Sequence, residues 1–282
     1  MKDKTERFFQ ETDIEILIAT MHQDSLDFLL LMFPFLHFSN FRILIVNQTQ
    51  SGTILKSEYS NIRVINSFEK GLSKSRNLAL ENALGKILVI ADDDVVYQEG
   101  FDSTIIKAYN QFPKAAAIRF CAVKTNGDLI KKYPERSKAN LNVFDILNTS
   151  SLEMTLNAAI LDQFKIRFDE NFGLGGIFEM GEEAIFLFDL KNKNQSLIFE
   201  PQIIVKHQEL TSSDKKSIRE KYFIQGALFT RIFKSNYIYW IFVKLFFDLK
   251  QNKLQFRALK QALKSAKEGH EKFETISYEI KE

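Results

Sequence analysis

The stretch Lys86-Ile87-Leu88-Val89-Ile90-Ala91-Asp92-Asp93-Asp94 sets an apolar run directly against three successive carboxylates. Lys86 to Ile90 reads as a buried strand, because the run leaves no polar face for solvent. Just upstream, Gly71 to Leu84 has the pattern of a helix that Gly85 stops. Working outward, Ile14 to Thr20, Arg42 to Val46 and Ile62 to Ile65 are three further short apolar strands, and Ser25 to Leu36 carries a long apolar face that suits a helix. Strands and helices that alternate, with nearly continuous apolar strands, predict a mostly parallel sheet covered on both faces. Ligands of such sheets gather at the carboxyl ends of the strands. Ala19-Thr20, Asn47-Gln48 and Asp92-Asp93-Asp94 are therefore expected as neighbours in space.

Beyond Gly100 the pattern loosens. Ser103 to Phe112 reads as a helix and Ala115 to Val123 as a strand. Asn126-Gly127-Asp128 is a hairpin-type turn into Leu129 to Tyr133. Phe168 to Gly176 is a glycine-rich loop, Met180 to Lys191 a helix, and Ser196 to Lys206 a strand interrupted by Pro201 and ending at His207. From Lys215 the chain reads as helical almost to its end.

A chain of 282 residues with 45% hydrophobic content can bury a core for one α/β domain plus an appendage, or for two small domains. The net charge of +2 argues against a nucleic-acid partner, which needs a basic field. The one cysteine, Cys121, excludes an intrachain disulfide and suits a reducing compartment. Met1 to Asp13 is polar and lacks the apolar run of a secretory signal, and no stretch of ~20 apolar residues spans a membrane. The 27 phenylalanines point to a phenylalanine-rich core.

Adjacent carboxylates repel one another, so Asp92, Asp93 and Asp94 at the end of a buried strand cost stability unless something neutralises them. Mg²⁺ or Mn²⁺ prefers oxygen ligands, removes that cost and can hold a diphosphate. A solvated acidic turn capping the next helix is the competing reading. Arg76 shares a helix face with Leu72, Ala79 and Ala83, and a guanidinium buried there must meet an anion. That anion is a nucleotide phosphate or an aspartate of the cluster.

Gly181-Glu182-Glu183 opens the later helix. Acids in a first turn are favoured by the helix dipole alone. The two are not equivalent, since Glu183 shares a face with Phe186, Leu187 and Leu190 and Glu182 with Asp189. Glu183 is therefore expected to point coreward, where desolvation raises a carboxyl toward the range of a general base. His207 at a strand end is structural, exposed or a ligand; the residues alone leave that open.

Taken together, Gly71-Leu72-Ser73-Lys74-Ser75-Arg76-Asn77, the apolar strand, Asp92-Asp93-Asp94, Gly181-Glu182-Glu183 and His207 resemble family 2 inverting glycosyltransferases of the bacterial polysaccharide type, over roughly Ile14 to Arg231. The resemblance implies a GT-A nucleotide-diphospho-sugar transferase fold, a mostly parallel mixed sheet flanked by helices, with a C-terminal helical extension. It implies that Ala19, Thr20, Asn47, Arg76, Asp92 and Asp93 bind the nucleotide sugar, Asn47 standing where the family has an aspartate. It implies Asp94, Asp92 and His207 as ligands of Mn²⁺ or Mg²⁺, and Glu183 as catalytic base in a pair with Glu182, in place of the family's Glu-Asp. The implied reaction moves a sugar from a nucleoside-diphosphate donor to a hydroxyl of a growing cell-surface polysaccharide or lipid-linked acceptor, with inversion.

The expected divisions are a polar segment over 1–12, a catalytic domain over 13–214 (nucleotide half 13–100, acceptor half 101–214) and a helical region over 215–282. In that last region Phe229 to Leu249 interleaves aromatics with Arg231, Lys234 and Lys244, the composition of a segment lying in a membrane interface. A helix pair packed on the catalytic domain or on a second subunit is the alternative. The expected location is cytoplasmic, peripheral to the inner face of the plasma membrane. Two other functions compete. A nucleotide- or metal-binding scaffold of an envelope polysaccharide assembly complex needs no turnover. A sugar nucleotidyltransferase needs a glycine-rich first loop, which Thr20-Met21-His22-Gln23-Asp24 is not.

Overall fold

A computed structural model of the chain describes residues 8–50, 52–207 and 216–279. The first seven residues of the polar segment, and Lys215 at the start of the helical region, lie outside them. In order the elements are β1 (Ile14–Met21), α1 (Phe28–Met32), β2 (Ile43–Gln48), β3 (Ile62–Ser67), α2 (Leu72–Asn82), β4 (Ile87–Asp92), β5 (Val96–Tyr97), α3 (Phe101–Gln111), β6 (Ala115–Lys124), β7 (Lys138–Ala139), α4 (Val143–Leu147), β8 (Met154–Asn157), α5 (Ala158–Phe164), α6 (Glu182–Asn192), β9 (Ser196–His207), α7 (Ile218–Phe233), α8 (Tyr237–Lys250) and α9 (Leu259–Glu279).

One mixed sheet runs β3-β2-β1-β4-β8-β6-β9-β5, with β7 paired to β9. β1 to β4 are parallel, and β8 then joins antiparallel to both β4 and β6. Side chains alternate across β1 as a strand's two-residue period requires. Ile16 and Ile18 enter the core under α1 and α3, while Leu17 enters the core shared with α2 and α6. Both faces being covered explains why the strands read as nearly continuous apolar runs, and the two charges within them, Glu15 of β1 and Arg63 of β3, pair at 2.7 Å.

Three local expectations change. The helix expected over Ser25 to Leu36 shrinks to Phe28–Met32. Pro34 disfavours helical backbone at Phe33, whose ring is instead buried between Phe41 and Tyr97 at 4.8 and 5.2 Å. The Asn126-Gly127-Asp128 turn forms, but only Val123 and Leu129 bridge after it, because Lys131 and Tyr133 turn away to Glu153. Finally, β9 runs through Pro201, which has no N–H to donate. The pairing with β6 slips there, from Arg119–Phe199 to Cys121–Ile203, so an irregularity absorbs the proline.

The helical region is not a detached appendage. Phe273 and Ile276 of α9 lie in the same core as Phe172, Phe178 and Leu187. α7 and α9 cross so closely that a Cβ on Gly226 would sit 1.9 Å from the Ala266 carbonyl oxygen, and one on Gly269 1.8 Å from that of Phe223. Only glycine allows that approach. The segment Phe229 to Leu249 therefore divides: Phe229 belongs to the buried side of α7, whereas much of α8 is exposed.

Candidate active site

The parallel register brings the ends of β1, β2 and β4 together, with Ala19 opposite both Val46 and Asp92, and Thr20 opposite Asn47. The three aspartates that follow β4 diverge. Asp92 accepts from Arg76 Nη2 at 3.1 Å and from Ser151 Oγ at 3.2 Å. Asp93 turns back to β1, where it accepts from Thr20 Oγ1 and, at 3.1 Å, from Gln23 Nε2. Asp94 is half exposed, its Oδ2 3.3 Å from His207 Nε2, and the hydrogen bond from His207 holds its carboxyl below the usual range. Divergence spreads the like charges, so no two of these carboxylates compete for one partner.

Arg76 joins the two halves of the site. Its side chain is 3% exposed. Besides Asp92 it reaches Glu182 at 3.0 Å and Glu183 at 3.5 Å, both through Nη1, and its guanidinium lies 5.5 Å from the Phe168 ring centre. The carboxylates raise its pKa against the opposing effect of burial. Of the two anions open to Arg76, the structure supplies an aspartate of the cluster, and it adds both acids of α6.

Glu182 and Glu183 occupy the first turn of α6, after Gly181 in a left-handed conformation. The helix-face argument does not separate them as expected. α6 is buried nearly all round, from Ala184 to Phe188, so its coreward side is not a narrow stripe. Glu182 is the more buried side chain, 6% exposed against 16% for Glu183, and makes the shorter contact with Arg76. Burial and the neighbouring charge of Glu182 push the Glu183 carboxyl up to about 8, against the pull of Arg76. Glu183 is thus the more accessible acid, and its raised pKa suits a general base.

The glycine-rich loop lies across the start of α2. Leu72 N–H donates to the Leu174 carbonyl at 2.9 Å, and Ser73 Oγ to that of Phe172 at 2.6 Å. Asn77 clasps the backbone of Phe168, donating to its carbonyl at 3.0 Å and accepting from its N–H at 2.8 Å. Gly173 has φ +96°, and a Cβ there would come within 2.9 Å of Ser73 Oγ and 3.1 Å of the Glu182 carboxyl carbon. The loop therefore approaches Glu182 as closely as backbone can.

Asn47 is fully buried. Its amide donates to the Gln23 carbonyl and to Asn66 Oδ1, at 3.0 and 3.1 Å, and its Oδ1 accepts from Gln23 N–H at 3.1 Å. Both amide hydrogens are taken by protein acceptors, so Asn47 ties the loop after β1 to β3. Gln23, Ser151 and Asn77 were not foreseen as part of the site. Asn77 belongs to the Gly71–Asn77 motif, but Gln23 sits in a loop and Ser151 opens a single 3₁₀ turn, where no periodicity marks them.

Among the described residues no three His, Cys, Asp or Glu side chains gather as a metal-binding group. Asp94 and His207 form an open pair, and Asp92, expected as a further ligand, is committed to Arg76 and Ser151. One carboxylate and one imidazole fit a cation that completes its shell with ligand phosphates and water, as Mg²⁺ commonly does.

The sequence profile of glycosyl transferase family 2 matches residues 17–179, more than half of the chain, and the chain belongs to that family. Among solved structures it is similar to residues 1–349 of Staphylococcus aureus TarS in complex with UDP-GlcNAc, at 14% identity and a TM-score of 0.59, covering 89% of this chain and 79% of that one. The same TarS fragment in another structure gives 14% identity and a TM-score of 0.53, covering 77% and 64%. Against a longer TarS chain the TM-score is 0.52 at 14% identity, with 77% of this chain but only 39% of TarS covered. In these two comparisons the chain spans less than two thirds of its neighbour's length. Likeness at this identity shows the fold, which is that of the GT-A transferases. No curated protein sequence matches the chain.

Proposed function

We propose that this family 2 glycosyltransferase moves a sugar from a nucleoside-diphosphate donor to a hydroxyl of a cell-surface polysaccharide or lipid-linked acceptor, with inversion, aided by Mn²⁺ or Mg²⁺. The observation that carries the reading is Arg76, which ties Asp92 at the end of β4 to Glu182 and Glu183 at the start of α6. A donor site and a base on separate elements need such a link, because in-line displacement depends on their relative position.

On the donor side, Thr20, Gln23 and Asp93 form a polar rim at the ends of β1 and β4. Asp94 and His207 would hold the cation, which when bound neutralises charge on the departing diphosphate. On the acceptor side Glu183 takes the proton of the attacking hydroxyl. That oxygen forms the new bond to the anomeric carbon as the carbon–phosphate-oxygen bond breaks, and the bonding pair leaves with the nucleoside diphosphate. Attack from the face opposite the leaving group inverts the centre. Glu182, more buried and closer to Arg76, holds the guanidinium rather than reacting.

The test is a donor screen with Mn²⁺ or Mg²⁺, headed by UDP-GlcNAc because the similar TarS structure holds it. Thermal stabilisation and slow donor hydrolysis are followed. A cation-dependent shift with one donor, lost in Asp94→Ala, with turnover lost but binding kept in Glu183→Gln, supports the proposal. Binding with no turnover in the parent chain, whatever the acceptor, would move the assignment to a scaffold.

A further inference from the structure

The described helices leave one broad apolar face uncovered. Along α8, Ile238, Phe242 and Phe246 follow one another in four-residue steps and are 44%, 55% and 61% exposed. Tyr239 lies beside them, and Phe256 stands fully out of the turn after α8. The face continues onto the catalytic part through Phe144 of α4, itself exposed, whose ring meets Trp240 and Phe247 at 5.8 and 5.9 Å. The other side of α8 is already occupied: Ile241 and Leu245 are buried, and Asp248 accepts from Tyr222 and Lys244. Contiguous exposed apolar surface of this kind marks an interaction site.

The surrounding charge indicates the partner. Asp248 is the only acid between Lys234 and Lys267, and it is spent inside the fold. Lys250 extends the row of Phe242 and Phe246 by another four-residue step, and Lys253, Arg257 and Lys260 follow, all exposed. Among the described residues none of these four cations has an acid at ion-pair distance, whereas Lys264 and Lys267 pair with Glu268 and Glu271. A two-fold contact with a second copy would set one basic rim against another with no acid to answer it. No described helix is long and apolar enough to cross a membrane. The 14 residues of α8 span only about 21 Å.

We propose that this face docks the chain on the surface of an anionic lipid bilayer, with the α8 aromatics and Phe256 at the headgroup boundary and Lys250, Lys253, Arg257 and Lys260 against the anionic headgroups. Apolar side chains held at the interface beside a basic rim are the two components such attachment requires. Because α8 is tied to α4 through Phe144, attachment sets the whole catalytic part on the membrane rather than a tethered tail.

Flotation of the full chain with phosphatidylcholine vesicles, and with vesicles that also contain phosphatidylglycerol, tests this without reference to turnover. The chain is expected to float with the anionic vesicles alone and to be released by salt. Lys250→Glu, Lys253→Glu and Arg257→Glu combined should weaken that binding by about a hundredfold. Phe242→Ser with Phe246→Ser should weaken it by at least about tenfold. These side chains are exposed, and unchanged thermal melts confirm intact variants. Absence of binding to anionic vesicles, or binding that neither variant alters, overturns the proposal. So does a lipid-free dimer, seen by sedimentation, that the double phenylalanine variant dissociates.

Discussion

Two buried arginines sit on either side of β4 and β8, and they are balanced in opposite ways. Arg119 on β6 donates through Nε to Glu153 at 2.8 Å, and the same carboxylate takes Lys131 at 2.9 Å and the Tyr133 hydroxyl at 2.5 Å. There one fully buried acid is answered by two cations and a hydroxyl, and Arg119 Nη1 is further satisfied by the Asp145 carbonyl at 3.0 Å. At Arg76 one cation is answered by three acids, and among the described residues its buried Nε has no hydrogen-bond partner. A network with compensated charge is what a stable core asks for. An excess of carboxylate, with one acid driven up in pKa, is tolerated where chemistry uses it. The difference separates a structural arginine from one at the candidate site.

The comparison can be broken by substitution. The largest effect is expected at Glu183→Gln, which should lower turnover by about 10²–10⁴-fold while leaving donor binding in place. In the parent chain kcat/KM should rise with pH toward about 8, where Glu183 ionises, and lose that rise in the variant. Next, Arg76→Met leaves three acids without their cation and should cost about 3–5 kcal/mol in urea unfolding. Arg119→Met should cost less, about 1–3 kcal/mol, because Lys131 and Tyr133 still answer Glu153, and the folded fraction should keep its turnover. Equal losses of stability and turnover at both arginines would dissolve the distinction.

The smallest effect concerns pH and stability. The folded pKa of Glu183 lies above that of the unfolded chain, so the folded state binds its proton more tightly. Stability associated with that proton is full below the ordinary glutamate range and is lost as pH rises toward about 8. Glu183→Gln removes the loss, so its Tm should match the parent near pH 4 and exceed it by about 3 °C or more near pH 8. A parent chain equally stable relative to the variant at both values would show that Glu183 is not held in an acid-raising environment.

Much of the fold was legible in the residues because burial on both faces of a parallel sheet leaves a direct mark. The runs through Ile14, Ile43, Ile62 and Ile87 are mostly apolar, broken only by Glu15 and Arg63, which pair with each other, and their carboxyl ends meet as the parallel rule requires. Within the site, the neighbourhood of Thr20 and the aspartates followed from the same rule. The shortened α1 was less visible, since Phe33 trades helical backbone for a place between two aromatic rings contributed by distant residues.

By itself, the sequence determined the order of the elements from β1 to β4, the strand ends on which the site stands, and the choice of Arg76, Asp92, Asp93, Asp94, Glu182 and Glu183 as its candidates, with His207 added by the family resemblance. These depend on local period and on residue chemistry, which travel with the chain. Only the tertiary structure decided how the charges are shared: that Asp92 turns to Arg76 and Ser151, that Asn47 spends its amide on Gln23 and Asn66, and that Glu182 lies deeper than Glu183. It alone divided the C-terminal aromatics into a buried set on α7 and an exposed face on α8. Hydrogen bonds and desolvation are set by neighbours that are remote in the chain, as Arg76 and Glu182 are across 106 residues. Their effect on a side chain appears only when those neighbours are brought to within a few ångströms.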